Sequence, residues 1–371
     1  MTMTIPKTCR AVVIAEYNKP YEIREFPVPE IEPGAILVKI QMAGVCGTDV
    51  HQVAGELGLK PELPIIPGHK AIGEIIKIGE GRTHDCAGTQ LSIGDRIMWS
   101  HVSCGECIPC TIDNQPNLCV NRFSYGTSFS GNYPYLSGGF AEYEYIIPKA
   151  DVVKVPEPLS NEEVIGVCCA FRTVVAAFER LGDMGIQPSV AIQGCGPVGL
   201  YSTVMAAEAG ASQIIVIGAP SLRLELVKKW GATNVINIDE VPDPAERNEI
   251  ILNLTDGRGP DIVVEASGVL AAFREGMEMV RRGGRYLVMG QTSMKAEIPV
   301  VPGLLMQKHM QIIGSTSATI GHYYKALQLI YNRRDKYPFA EIVTNKYSLD
   351  QVNEAVAAMK QGQEIKPVII P

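Results

Sequence analysis

Short runs of alternating or β-branched residues fill the first third of the chain. Residues 36–42 mix apolar and polar positions as a half-buried strand does, and residues 71–78 and 142–147 repeat the pattern. Gly and Pro lie between these runs, which predicts a β-rich domain in the form of a partly open barrel. The texture changes near Val164. From Ser189 onward, β-branched runs at 190–192, 214–217, 235–236, 261–264, 286–289 and 310–313 alternate with helical stretches at 198–209, 222–230, 245–254 and 270–280. Six strands with helical crossovers require a parallel, doubly wound sheet covered on both faces. Beyond Gly314 come two amphipathic helices, 323–334 and 349–359, and a closing strand, 368–370. The expected organisation is therefore a β-rich domain over 1–170, an inserted doubly wound domain over 171–312, and a return to the first domain over 313–371.

Composition narrows the class. The 371 residues are 46% hydrophobic and 20% charged, which excludes wholesale disorder. Net charge is −7 with no basic stripe, so nucleic acid is not expected as the main partner. The apolar runs are too short and too interrupted to span a membrane, and residues 1–10 carry no signal-peptide core. Four of the ten cysteines fall between positions 104 and 119, which reads as metal ligation in a reducing compartment, most simply the cytosol.

Three constellations carry chemistry. Gly194-Cys195-Gly196-Pro197-Val198-Gly199 fits G-x-G-x-x-G between a strand and a helix, the arrangement that lets backbone approach a dinucleotide pyrophosphate at a helix N-terminus. The next strand should end in an acid that binds a ribose 2′-hydroxyl, but Gly218 stands there. Ser221 and Arg223 follow and could take a 2′-phosphate, which leans toward NADP over NAD; in the alternative, Arg223 is solvated and NAD binds through backbone. Cys104, Cys107 and Cys110 form C-x2-C-x2-C, with Cys119 after eight more residues; four thiolates close a tetrahedral, structural zinc site. Cys46, Thr48, Asp49 and His51 cluster in one segment, with His69 and the pair Cys168-Cys169 further on. Two thiolates and one imidazole would leave a fourth zinc position open for water or an alcohol oxygen.

Together these segments resemble the zinc-dependent alcohol dehydrogenases of the medium-chain dehydrogenase/reductase family. The likeness runs through Gly44–His51, Gly68-His69, the cysteine lobe, Gly138–Tyr143, Gly194–Gly199, Glu265–Gly268 and Gly283–Gly290. It implies a Rossmann domain inserted in a GroES-like catalytic domain, with one catalytic and one structural zinc per subunit. It further implies hydride transfer between a primary or secondary alcohol, or in reverse an aldehyde or ketone, and NAD or NADP. Cys46, His69 and Cys169 would hold the catalytic zinc, Cys169 being preferred to Cys168 because Cys169-Ala170-Phe171-Arg172-Thr173 matches the family's run. Asp49 would orient His69, and Thr48 and His51 would relay the substrate proton. Thr173, Gly268 and Gly290 would place the nicotinamide and its ribose, and Lys366 would reach the pyrophosphate. A homodimer or homotetramer is implied as well.

Three positions depart from the family pattern. Lys70 replaces the usual Glu after the zinc His and reads as a solvated or ion-paired residue, or alternatively as an attractor of anionic substrate, a hint that Arg172 shares. Cys110 and Cys119 are one residue further apart than usual, and Gly218 replaces the acid. Two competing readings stand beside the zinc enzyme: a zinc-free reductase of activated double bonds with the same fold, and a cofactor-binding protein without activity.

Overall fold

The computed structural model describes residues 5–57, 61–290 and 296–371. The chain forms two compact units: residues 1–169, 318–334 and 339–371 make the first, and 170–317 with 335–338 the second.

The first unit begins with a hairpin of β1 (Thr8–Val13) and β2 (Glu22–Pro27). Next come β3 (Ile36–Gly44), α1 (Gly47–Val53), β4 (Ala71–Ile78), β5 (Arg96–Trp99), the short α2 (Ile108–Thr111), β6 (Tyr143–Ile146), β7 (Val152–Lys154) and α3 (Asn161–Val164). Strand β3 is buried along most of its length, which its mixed polar pattern understates. It pairs antiparallel with β4 and also with β6, so both its edges are occupied. The core beneath holds Val38, Ile40, Ile75, Ile97, Phe140 and Ile369.

The second unit opens with α4 (Ala170–Leu181) and then alternates β8 (Ser189–Gln193), α5 (Pro197–Glu208), β9 (Gln213–Gly218), α6 (Ser221–Lys229), β10 (Asn234–Asn237), α7 (Pro244–Leu254), β11 (Ile262–Glu265), α8 (Leu270–Met279), β12 (Arg285–Val288), α9 (Pro302–Lys308) and β13 (Gln311–Gly314). The six strands are parallel in the order β10-β9-β8-β11-β12-β13. That order reverses between β8 and β11, the switch point where doubly wound sheets bind ligands. Helix α5 is apolar on most of its surface and buried. Tyr201 on it stacks on Phe171 of α4, ring centroids 4.3 Å apart, and meets Trp230 edge-on at 5.1 Å. Pro at the first helical position starts both α5 and α7, where a missing N–H removes no helical bond.

The chain then rejoins the first unit as α10 (Ile320–Arg333), β14 (Val343–Tyr347), α11 (Val352–Lys360) and β15 (Lys366–Ile369). Strand β15 pairs with β3, so residues over three hundred positions apart become sheet neighbours. No helix among the described residues is long and apolar enough to cross a membrane.

One core residue breaks the apolar pattern. Glu144 in β6 is fully buried. The Trp99 indole donates to its Oε1 at 3.3 Å, while Oε2 has no hydrogen-bond partner among the described residues. Burial holds its pKa well above the ordinary carboxylate value. The folded state therefore keeps a proton that the unfolded chain releases, and stability falls as pH rises from the usual carboxylate range through the folded value. We expect Glu144→Gln to narrow the stability difference between about pH 5 and about pH 8, measured by chemical denaturation. An unchanged difference would show that the buried carboxyl does not set this pH dependence.

Candidate active site and cofactor loop

Within the first unit, β3 runs out at Gly44 and Cys46 caps α1. Its Sγ accepts the Thr48 N–H at 3.2 Å, and the Asp49 carboxylate accepts the Cys46 N–H at 2.8 Å. A capping box normally uses Ser or Thr with Glu or Gln; here the same geometry fixes a thiol and a carboxylate at the start of one helix. The other Asp49 oxygen, Oδ1, lies 3.4 Å from His69 Nδ1, an ion-pair distance without the alignment of a hydrogen bond. His69 Nε2 lies 3.9 Å from Cys46 Sγ. Asp49 is fully buried.

The Cys169 thiol joins this group, and its hydrogen bond is the largest influence drawing the Cys46 thiol well below its ordinary pKa; Lys70 and His69 add to it against the effect of burial. Burial and the Lys70 ammonium push the His69 imidazole down, yet Asp49 and Cys169 outweigh them and hold it at about 10. Cys168 points elsewhere and donates to the Ala71 carbonyl at 3.3 Å. Lys70 is only 2% exposed, so the solvated reading does not hold. Burial opposes its charge, but Cys169, Cys46 and Asp49 keep the ammonium protonated. Lys366 is also buried and donates to the Val45 carbonyl at 3.1 Å. His51 lies further along α1, half exposed and paired with Glu56 at 2.7 Å.

Two thiols and an imidazole backed by a carboxylate are a zinc donor set. With Zn–S near 2.3 Å and Zn–N near 2.05 Å, a tetrahedral edge between sulfur and nitrogen is roughly 3.6 Å, close to the separation of Cys46 and His69. The orphaned Asp49 Oδ1 and His69 Nδ1 are the pair that tightens when a metal fixes the imidazole.

The cysteine lobe fits a metal as well. The sulfurs of Cys104, Cys107, Cys110 and Cys119 all lie within 4.8 Å of one another. Cys107 Sγ is 3.4 Å from Cys110 Sγ and 3.9 Å from Cys119 Sγ, against about 3.8 Å for the edge of a zinc–thiolate tetrahedron. The Val120 N–H draws the Cys107 thiol down to about 6. A 3₁₀ turn at Pro116–Leu118 takes up the longer spacing before Cys119.

In the second unit the glycine loop lies at the carboxyl end of β8. A Cβ at Gly199 would meet the Gly194 carbonyl at 1.9 Å, so α5 packs against the loop only with glycine there. Gly194, Gly196, Gly218, Arg223 and Ser267 line a cavity of about 540 Å³. Ser221 begins α6, and its Oγ accepts from Asn237 at 2.9 Å. Thr173 lies on α4. Gly268 and Gly290 both donate to the buried Glu265, at 2.7 and 3.1 Å, so one carboxylate ties together the loops after β11 and β12.

Several of these residues had no sequence signal. Arg247 on the cavity wall pairs bidentately with Glu275, both bonds 2.8 Å, and donates to the Val241 and Pro242 carbonyls. In sequence both look like solvated helix residues. Cys195 is likewise an unmarked "x" of the glycine motif. It is buried, its Sγ contacts the Ala219 carbonyl at 3.2 Å, and a Cβ at Gly218 would lie 2.6 Å from that sulfur. A side chain at 218 would therefore have to displace the Cys195 sulfur. We expect Gly218→Asp to destabilise the protein, and to do so less in a Cys195→Ala background, with a coupling of about 0.5–3 kcal/mol in a double-mutant denaturation cycle. Additive effects would show that the sulfur is not the obstacle.

Known proteins place the chain. Residues 32–157 match the alcohol dehydrogenase GroES-like domain, and residues 197–332 match the zinc-binding dehydrogenase domain. The 5-exo-hydroxycamphor dehydrogenase of Pseudomonas putida is 36% identical over 97% of this chain and 98% of its own length. An alcohol dehydrogenase of Geobacillus stearothermophilus is 31% identical over 95% and 97%. The crystal structure of an alcohol dehydrogenase from Thermotoga maritima superposes with a TM-score of 0.92 at 32% identity, covering 98% of this chain and 99% of that one. These relatives do not favour the zinc-free and non-enzymatic readings. The chain belongs to the zinc-dependent alcohol dehydrogenases of the medium-chain dehydrogenase/reductase family, alcohol oxidoreductases that use a nicotinamide cofactor.

Proposed function

We propose that Cys46, His69 and Cys169 hold a catalytic zinc, that Cys104, Cys107, Cys110 and Cys119 hold a structural one, and that the enzyme interconverts a primary or secondary alcohol with its aldehyde or ketone. The observation that carries this reading is the convergence of Cys46, Cys169 and His69 beside the buried Asp49. Bound groups supply the hard chemistry: zinc lowers the pKa of an alcohol, and the nicotinamide accepts hydride. The chain's residues do the rest. Asp49 orients His69 from Nδ1 so that Nε2 faces Cys46. Thr48 takes the substrate proton, and His51 receives it at the end of the relay. Lys70 balances the thiolate charge from inside the site.

Cofactor choice leans to NADP. Gly218 offers no carboxylate to repel a 2′-phosphate, the Cys195 sulfur crowds that position, and Arg223 lines the cavity. Arg247 lines the same cavity, where Glu275 and two carbonyls hold its guanidinium. No two of the ten cysteines are joined in a disulfide, which supports a cytosolic enzyme. The edge strand β13 is largely exposed, as are Val301 and Met306, and this supports assembly into a homodimer or homotetramer.

A panel of alcohols and carbonyls run with NAD and NADP in both directions tests the activity. Chelation should abolish turnover and zinc restore it, with metal analysis giving about two zinc ions per chain. Full turnover in a metal-free preparation would overturn the reading. Arg223→Gln should raise the KM for NADP roughly tenfold and leave that for NAD nearly unchanged. Equal effects on both would remove Arg223 as the phosphate ligand.

A further inference from the structure

The end of α1 brings a carboxylate onto His51. Ala54 caps the helix, and Gly55 takes a left-handed φ of +67°. The Gly55 N–H then bonds back to the Gln52 carbonyl at 3.0 Å, and the Glu56 N–H to the His51 carbonyl at 2.9 Å. This pair of bonds is the Schellman closure, in which the second residue past the cap returns over the third residue before it. Those two positions commonly share a hydrophobic contact. Here they are Glu56 and His51, and Glu56 Oε2 lies 2.7 Å from His51 Nδ1. The backbone, and not only a pair of mobile side chains, sets their approach.

An ionised carboxylate only accepts, so the imidazole donates from Nδ1. In the neutral imidazole this selects the Nδ1–H tautomer and makes Nε2 the acceptor. His51 and Glu56 line an open cleft of about 590 Å³. Among the described residues, the other charged or titratable groups facing it are Lys19 before β2, Lys360 at the end of α11, and Tyr21, whose hydroxyl donates to the Asp49 carbonyl at 3.0 Å. The Asp49 carboxylate itself faces Cys46 and His69. Glu56 is thus, among the described residues, the carboxylate that contacts the His51 ring, and the cleft gives the pair access to solvent.

We propose that Glu56 is a positioning residue for His51 in the proton path, an inference that rests on His51 being the relay base. The alcohol proton passes to Thr48 Oγ1 as the Thr48 proton passes to His51 Nε2. The imidazolium so formed is balanced by the Glu56 carboxylate and releases one proton to water in the cleft. No electrons move in this step.

An exposed pair contributes little to stability, so Glu56 variants should fold. The test uses the zinc-loaded enzyme, cyclohexanol as the alcohol, and ¹⁵N NMR of labelled histidine. Glu56→Gln should lower kcat about tenfold with little change in KM. It should also convert His51 from the Nδ1–H form to a mixture of tautomers. Glu56→Asp should recover part of the rate. In a His51→Gln background, Glu56→Gln should lower kcat no further. The proposal is overturned if Glu56→Gln leaves both the tautomer and kcat unchanged while His51→Gln lowers kcat. If His51→Gln itself leaves kcat unchanged, the relay reading fails and the proposal falls with it; the NMR result then still reports whether Glu56 holds the ring.

Discussion

Two thiols, an imidazole and a carboxylate cannot be buried together unless something balances their charge and fills their lone pairs. In this protein the thiols of Cys46 and Cys169 meet His69 beside a fully buried Asp49. The chain answers part of the demand itself: Lys70 lies inside the site, and the Cys46 N–H takes one Asp49 oxygen. A divalent cation held by the two sulfurs and His69 Nε2, as proposed, would supply the rest of the charge, and Asp49 Oδ1 and His69 Nδ1 are placed to satisfy each other. The local architecture of the first unit follows from this requirement. A strand end delivers Cys46, a helix start holds Asp49, and a turn before β4 delivers His69.

The same economy governs the second unit. The strand order reverses between β8 and β11, and the loops after both strands open there. Glu265, at the end of β11, binds the loops after β11 and β12 with one carboxylate. The close approach of Gly199 to Gly194 lets α5 aim its N-terminus across the loop. Cys195 and Gly218 share one small volume, so the residue after the first glycine governs what can stand at the end of β9.

Much of this was legible in the order of residues. The crossover strands appear as β-branched runs because parallel strands inside the sheet are buried on both faces, and the six positions agree with β8 to β13 within a residue or two. The cysteine spacing announced a tetrahedral site because close sequence spacing forces close thiols. Other parts left little trace. The short strands β5 and β7 are too brief to show a period. Lys70 read as a solvated or ion-paired residue, and nothing local to Gly-His-Lys reveals that it is buried beside Cys46, Asp49 and Cys169.

By itself, then, the sequence determined the fold class, the glycine loop and the cysteine lobe, since each shows as a local pattern or spacing; the candidate donors Cys46, His69 and Cys169 lie in three separate segments and were pointed to by the family resemblance. Tertiary structure alone decided which thiol of Cys168 and Cys169 faces His69, that Arg247 is tied to Glu275, and that Cys195 crowds Gly218. It also decided that Lys70 is buried. The physical reason is that these outcomes depend on contacts between segments, and such contacts are set by packing rather than by any local pattern.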